Sequence, residues 1–375
     1  MIEVVPVSSK KQMHKFVSFP LKLYKESKFY VPSFFGEELK LYDKDKNVHT
    51  EYSDSYFFLA YKDGKITGRI GAIVNYADIK KTGKKQLRFT RFDVINDYEV
   101  AKALFDTIED LAKSLNFTAV HGPWGYNDLD KEGMLTEGFD YIATYATIYN
   151  YDYYPHFMEK LGYKKEVEWI ERLVTVPDEV DKKEKEFGDM ILRRYKLREA
   201  VDEDIKISKL LDEYGPKVFE LLDICYKDLH GVVPLTKGYI SDLLSQLKLV
   251  LSPRYISVIV DEKDDVVGFG VSVRSFAKAL NECKGKFNPL GILKILKSLK
   301  HSDVIELLIV GVHPDYQNKG ILPLVFSRLQ NNYVRDGIKY AETNCTLEDN
   351  IPINNVWDKF PHVKHKRRKC FIKEI

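Results

Sequence analysis

The same punctuation occurs twice in this chain, about two hundred residues apart, and a sequence that repeats its turns at such a distance has to fold as two copies of one plan. The first copy reads FFLAYKDGKITGRIGAIVN over 57–75: an alternating apolar run, an Asp-Gly turn, and a second run holding Gly68. The second reads ISVIVDEKDDVVGFGVSVRS over 256–275, with an acidic turn and Gly268 in the matching place. Alternation on both sides of turn formers predicts a β-hairpin in each. A further strand follows, LRFTRFDVI (87–95) or VIELLIVGV (304–312), and then a helix. Leu104, Ile108, Leu111 and Leu115 recur at helical spacing in the first copy, and Leu322, Phe326, Leu329 and Tyr333 in the second. Between the copies lies PDEVDKKEKEFGD (177–189), charged and containing Pro and Gly, which predicts a linker. The expected division is an N-terminal domain over 1–180 and a C-terminal domain over 190–375.

A chain of 375 residues is long enough for each copy to bury its own core, and 44% hydrophobic with 30% charged residues describes a globular protein rather than a disordered one. Lysine and arginine number 58 against 56 aspartates and glutamates, so no global field draws the protein to nucleic acid or to an anionic membrane. Any charge argument has to be local. Four cysteines, Cys225, Cys283, Cys345 and Cys370, show no C-x-x-C spacing, and the nine histidines show no ligand spacing, so neither a disulfide framework nor a metal is expected. No apolar run reaches the length of a signal peptide or a membrane span. The expectation is a cytoplasmic protein with neither a membrane nor a nucleic acid as partner.

The copies differ at one corner. In the first, the strand ending at Ile95 enters its helix through Asn96-Asp97, a cap without glycine. In the second, VGVHPDYQNKGIL (310–322) passes through Gln317-Asn318-Lys319-Gly320. A strand that enters a helix through a glycine-bearing turn offers unpaired amides and the positive end of the helix dipole to an anion such as pyrophosphate. An ordinary solvated turn has the same composition, and spacing alone does not separate the two.

The run V-x-P-x-Y-Q-N-K-G-I resembles motif A of the GNAT superfamily of acyl-CoA-dependent N-acyltransferases, whose Q/R-x-x-G-x-G/A loop holds the CoA pyrophosphate. Gln317, Asn318, Lys319, Gly320 and Ile321 fall on its first five positions, while Leu322 stands where the family has Gly or Ala. GPWGYNDLDKEGMLTEGFD (122–140), YNYDYYPHFMEKLGY (149–163) and AETNCTLEDNIPINN (341–355) look like segments of bacterial tandem-GNAT proteins, so the resemblance spans nearly the whole chain. It implies an α/β fold of two tandem GNAT-like domains, each a mixed, mostly antiparallel sheet flanked by helices. It also implies acetyl-CoA or another acyl-CoA as cosubstrate, with a small-molecule or peptide amine as acceptor.

Acyl transfer from a thioester to an amine needs positioned reactants, a polarised carbonyl, a base for the ammonium and a leaving thiolate. Backbone groups of Val310, Gly311 and Val312 are expected along the pantetheine arm, as the family implies. Glu306 is the candidate base, since an acid within an apolar strand is costly unless paired or functional. An exposed or salt-bridged strand residue is the other outcome for it. Glu348 and Asn350, in LEDN at a strand end, are candidates for the acceptor, or else members of a capping cluster. For the acid the resemblance thins: Trp357 stands near the family's tyrosine, and an indole cannot protonate a thiolate. Cys345 reads more readily as a small core residue than as a nucleophile.

KHKRRK (364–369) fits a solvated strand face better than a phosphate or RNA site, and FNPLGILKILKSLKHSD (287–303) fits a lid, a dimer surface or a cover for the sheet. Leu322 and Trp357 also suit a non-catalytic, degenerate GNAT module. A transferase using aminoacyl-tRNA is a third class, disfavoured by the short charged linker.

Overall fold

The computed structural model describes residues 1–43 and 45–375. Its strands are β1 (Ile2–Pro6), β2 (Ser53–Lys62), β3 (Lys65–Asn75), β4 (Gln86–Val94), β5 (Ala119–Gly122), β6 (Met134–Glu137) and β7 (Lys164–Thr175). The second half adds β8 (Arg198–Glu199), β9 (Ile256–Val260), β10 (Val266–Arg274), β11 (Val304–Val312), β12 (Tyr340–Glu342), β13 (Thr346–Leu347) and β14 (His362–Glu374). All fourteen join one sheet in the order β1-β2-β3-β4-β5-β14-β7-β12-β11-β10-β9-β8, with β13 on β7 and β6 on β14.

The expected hairpins are β2–β3 and β9–β10. Asp63 and Gly64 both take positive φ (51° and 76°), the backbone a two-residue hairpin loop needs to follow the twist of its strands. In each half the strand after the hairpin runs antiparallel to it and parallel to the next one, β4 to β5 and β11 to β12. Helices Tyr98–Ser114 and Ile321–Arg335 fill those crossovers. Gly68 and Gly268 let these helices lie close on the sheet: a Cβ at Gly68 would stand 2.8 Å from Leu104 Cδ1, and one at Gly268 2.5 Å from Ile321 Cγ2. The repeat is therefore a repeated close approach, and the second instance sets the height of the loop around residue 320.

Two expectations change. The predicted linker is mostly a helix, Lys182–Tyr195, capped by Asp181 and packed on helix Ile321–Arg335, where Ile191 is buried and a Cβ at Gly188 would be 3.0 Å from Leu324. Its charges line the solvent side of a helix whose apolar residues find a partner only in three dimensions. The last strand also crosses over: β14, from the second half, lies between β5 and β7 of the first, while β7 pairs with β12.

That exchange explains the basic run. A register shift between Lys364 and Lys366 brings His365 and Lys366 inward together, and Arg368 follows. Lys366 lies 3.2 Å from Glu171 and also bonds Glu342, Arg368 pairs with Glu171, and His365 Nε2 is 3.0 Å from Glu342. Only Lys364, Arg367 and Lys369 keep to the outer positions. Half of a run expected on a solvated face is thus the ionic bond between the halves. Desolvation pushes the Glu171 carboxyl up, but the Arg368 and Lys366 charges outweigh it and hold it at about 2.

Candidate functional site

Strand β11 ends at Val312, a turn at Pro314–Tyr316 follows, and helix Ile321–Arg335 begins. Asn318 (φ 60°) and Gly320 (φ 83°) both take the left-handed conformation, and Gly320 caps the helix without any side-chain bond. The amides of Gln317 and Lys319 are used inside the turn, on Pro314 O and Tyr316 O. Those of Asn318, Gly320, Ile321 and Leu322 meet no acceptor among the described residues, and Pro323 has no amide to add. Four free donors thus converge on a helix N-terminus. Lys319 rests its ammonium 5.1 Å from the Tyr316 ring and 5.5 Å from the Tyr195 ring, beside them.

A cleft of about 310 Å³ lies beside β11, the strand that leads into this loop. It exists because β11 and β12 pair only as far as Glu306 and Glu342 and then part. Leu307–Val310 form one wall and Thr343–Leu347 the other. Phe219, Leu229, Leu243 and Leu247 cover it from one side, and Phe326, Ile353 and Trp357 from the other. The first half contributes Asp128, Leu129, Asp130, Glu132 and Tyr145. Asp130 is matched by Arg91 at 3.4 Å, but Asp128 and Glu132 close no ion pair among the described residues. Desolvation raises Asp128 to about 6, and desolvation followed by the Asp128 charge pushes Glu132 well above the carboxylate range. Two cleft-lining polar atoms, Glu132 Oε2 and Trp357 Nε1, are out of solvent with no hydrogen-bond partner among the described residues.

Glu306 is buried and its carboxyl is raised to about 7, first by desolvation and then by neighbouring Glu342. Its oxygens accept from Ser275 Oγ (2.5 Å) and from the Tyr145 amide (3.1 Å), and it stands at the closed base of the cleft rather than in its lining. The carbonyls of Val310 and Val312, expected to face the coenzyme arm, already accept from Tyr226 Oη (3.1 Å) and Cys225 Sγ (3.3 Å), at the end of helix Ile207–Tyr226. Asn350 lines the cleft, whereas Glu348 turns out to Arg367 at 3.0 Å. Cys345 also lines it, with its thiol pushed up by burial and so held as the unreactive acid form.

No family model matches the chain. Among solved structures, a tandem GNAT protein from the clavulanic acid biosynthesis pathway superposes with a TM-score of 0.56 at 12% identity, over 100% of this chain and 98% of that one. The chain has a tandem GNAT fold. A GCN5-related N-acetyltransferase from Sphaerobacter thermophilus (TM-score 0.51, 11% identity, 99% and 95% covered) gives the same result. So does a probable N-acyltransferase from Enterococcus faecalis V583 (0.53, 9%, 100% and 73%). Among curated proteins, Protein YghO of Escherichia coli K12 is 26% identical over 378 residues, covering 98% of this chain and 94% of its own length. The bacterial ceramide synthase of Caulobacter vibrioides is 23% identical over 388 residues, covering 100% and 98%.

The two GNAT copies diverge as their corners suggest. In the first, Asp97 caps helix Tyr98–Ser114 by accepting from the Glu99 amide at 3.1 Å and pairs with Lys62, so a carboxylate of the chain itself stands at that helix N-terminus. The opening beside β4 is about 90 Å³ and holds a closed polar set: Arg69 pairs with Asp93 (2.7 Å), which accepts from Tyr24 (2.9 Å), itself bonded to Tyr154 (2.8 Å). Of the residues singled out from the sequence, Val310 and Asn350 line the cleft and Glu306 stands behind it, whereas Asp128, Glu132 and Tyr226 line it without having been singled out. GPWGYND (122–128) carries turn formers and aromatics that mark a loop without saying what it faces. The charge of Asp128 and Glu132 gains meaning only when the first half is laid over the cleft of the second.

Proposed function

We propose that the protein transfers an acyl group from acyl-CoA to the primary amine of a long-chain amphiphile. What supports this is one strand, β11, whose residues 307–310 wall an apolar cleft with two unpaired carboxyl groups and which leads on to the free amides of 318 and 320–322. The residues suit the cosubstrate: the amides and Lys319 hold its diphosphate, and β11 offers a strand edge to its arm once Tyr226 and Cys225 release Val310 and Val312. The apolar walls favour an acyl chain longer than acetyl. A ceramide is a long-chain amino alcohol with an acyl chain on nitrogen, so the name of the Caulobacter relative agrees with such an acceptor.

In the reaction the amine nitrogen forms the new N–C bond to the acyl carbon and the thioester C–S bond breaks. Asp128 attracts the acceptor's ammonium and, at about 6, takes a proton from it near neutrality, while Glu132, its carboxyl pushed up by burial, stands beside it in the same wall. Tyr226, its phenol raised by burial and so protonated, gives a proton to the thiolate and regains one from the nitrogen, which sheds its second proton as the amide forms. Glu306 acts behind this set by holding the Tyr145 amide in the wall. None of the four cysteines is in a disulfide, which suits a cytoplasmic setting where thiols stay reduced.

The test is thiol release and product mass over a panel of acyl-CoAs and amines. Long-chain amino alcohols are expected to react and short water-soluble amines to react poorly. Asp128→Asn should lose the rise in rate through about pH 6 that a base of that pKa imposes, because the base works only deprotonated. Equal turnover of short amines would refute the acceptor class. Absence of thiol release from every acyl-CoA would leave a binding module.

A further inference from the structure

Helix Pro289–His301 presents an outward face that nothing in the fold covers. Leu290, Leu293 and Leu296 are 73%, 62% and 45% exposed, and Phe287 just before the helix is 44% exposed. Lys294, Lys297 and Lys300 are exposed at the same spacing of three, so leucines and lysines interleave along one face. The opposite face is anchored: Ile295 and Gly291 are buried, and Ile295 belongs to the apolar layer that contains Phe219 and Val271, two residues of the cleft lining. From Cys283 through Ser302 the sequence has five lysines, Lys284, Lys286, Lys294, Lys297 and Lys300, and no carboxylate, in a chain whose overall net charge is only +2. Glu282 and Asp303 flank the stretch, and Glu282 is engaged by Lys294 at 2.7 Å.

We propose that this helix docks the protein on an anionic lipid surface, with Phe287, Leu290, Leu293 and Leu296 entering the interface and the lysines meeting headgroup phosphates. Charge complementarity selects this occupant. A second copy of the chain would set five lysines against five lysines, whereas an anionic bilayer matches both the charge and the leucines. Lysine stems of this length lie along apolar surface while the ammonium stays at headgroup level, so interleaving suits an interface where it would weaken a dry protein contact. The net charge excluded only a global attraction, and this one is local. Docking here is independent of the transfer chemistry, although it would bring the cleft to the phase where long-chain amines reside.

The experiment is co-sedimentation of the full chain with phosphatidylglycerol–phosphatidylethanolamine vesicles and with phosphatidylcholine vesicles, alongside gel filtration. The wild type should pellet with the anionic vesicles and release at high salt. Replacing Lys294, Lys297 and Lys300 by Gln should lower partitioning about 100-fold, at roughly fivefold per cation near an anionic surface. Replacing Leu290, Leu293 and Leu296 by Gln, all at exposed positions, should lower it at least about tenfold while thermal unfolding is unchanged. Failure of the wild type to bind anionic vesicles overturns the proposal. So does binding that the leucine variant retains in full, or a wild-type dimer that the leucine variant converts to monomer.

Discussion

Substitution of Gly320 by alanine puts the loop proposed to hold the coenzyme under a strain whose size can be worked out. The residue sits at φ 83°, where an L side chain costs about 1–2 kcal/mol. The new Cβ would lie 3.0 Å from Ile191 Cδ1 and 3.2 Å from Phe187 Cζ, so helix Lys182–Tyr195 must yield by a few tenths of an ångström. If the loop rotates out of the left-handed region, the amides of Gly320, Ile321 and Leu322 no longer face one point, and CoA has to restore them. The affinity then falls by the energy that the rotation relieved, about 5–30-fold. If the loop stays, the strain appears instead as lost stability of the same size. Calorimetric titration with CoA and denaturant unfolding measure the two parts, whose sum is fixed by the backbone. Gly83→Ala is the control: its φ is 72° and no atom lies within 4 Å of the added Cβ, so only stability should fall. A Gly320→Ala protein that keeps both stability and CoA affinity refutes the reasoning, as does a wild type that does not bind CoA.

Tyr226→Phe removes the proposed proton donor and should lower kcat about 100-fold without weakening CoA binding; an unchanged kcat under saturating substrates would dismiss that role. Lys366→Met leaves Glu171 and Glu342 facing each other out of solvent and should cost about 3–5 kcal/mol in urea unfolding, and a loss under about 1 kcal/mol would show that the ionic seam does not hold the exchanged strands. Glu171 is held at about 2 against an ordinary 4.5, so its contribution is complete above about pH 4.5 and is lost as pH falls toward 2. Circular dichroism across that range should show acid unfolding that Glu171→Gln, already destabilised, follows less steeply.

Legibility followed the range of the forces involved. The hairpins at 53–75 and 256–274 could be read because alternation and turn residues act within a few positions. The loop at 317–321 could be read because its glycine and its missing cap are local facts of backbone conformation. The basic run at 364–369 was misjudged because the carboxylates that bury it, Glu171 and Glu342, come from strands far away in sequence. The helix in the charged stretch after 177 could not be read for the same reason: the partner of its apolar stripe is a helix more than a hundred residues later.

By itself the sequence determined that there are two copies of one plan and that only the second enters its helix through a glycine-bearing turn, since both follow from turn chemistry and glycine placement. Which acids face the cleft, and how the halves are joined, was decided by the tertiary structure alone. Exchange of β7 and β14 across the seam sets Lys366 and Arg368 among buried carboxylates, and the apposed halves carry Asp128 and Glu132 to a wall of the cleft. Burial and pairing of charge depend on distances through space, which no single stretch of chain encodes.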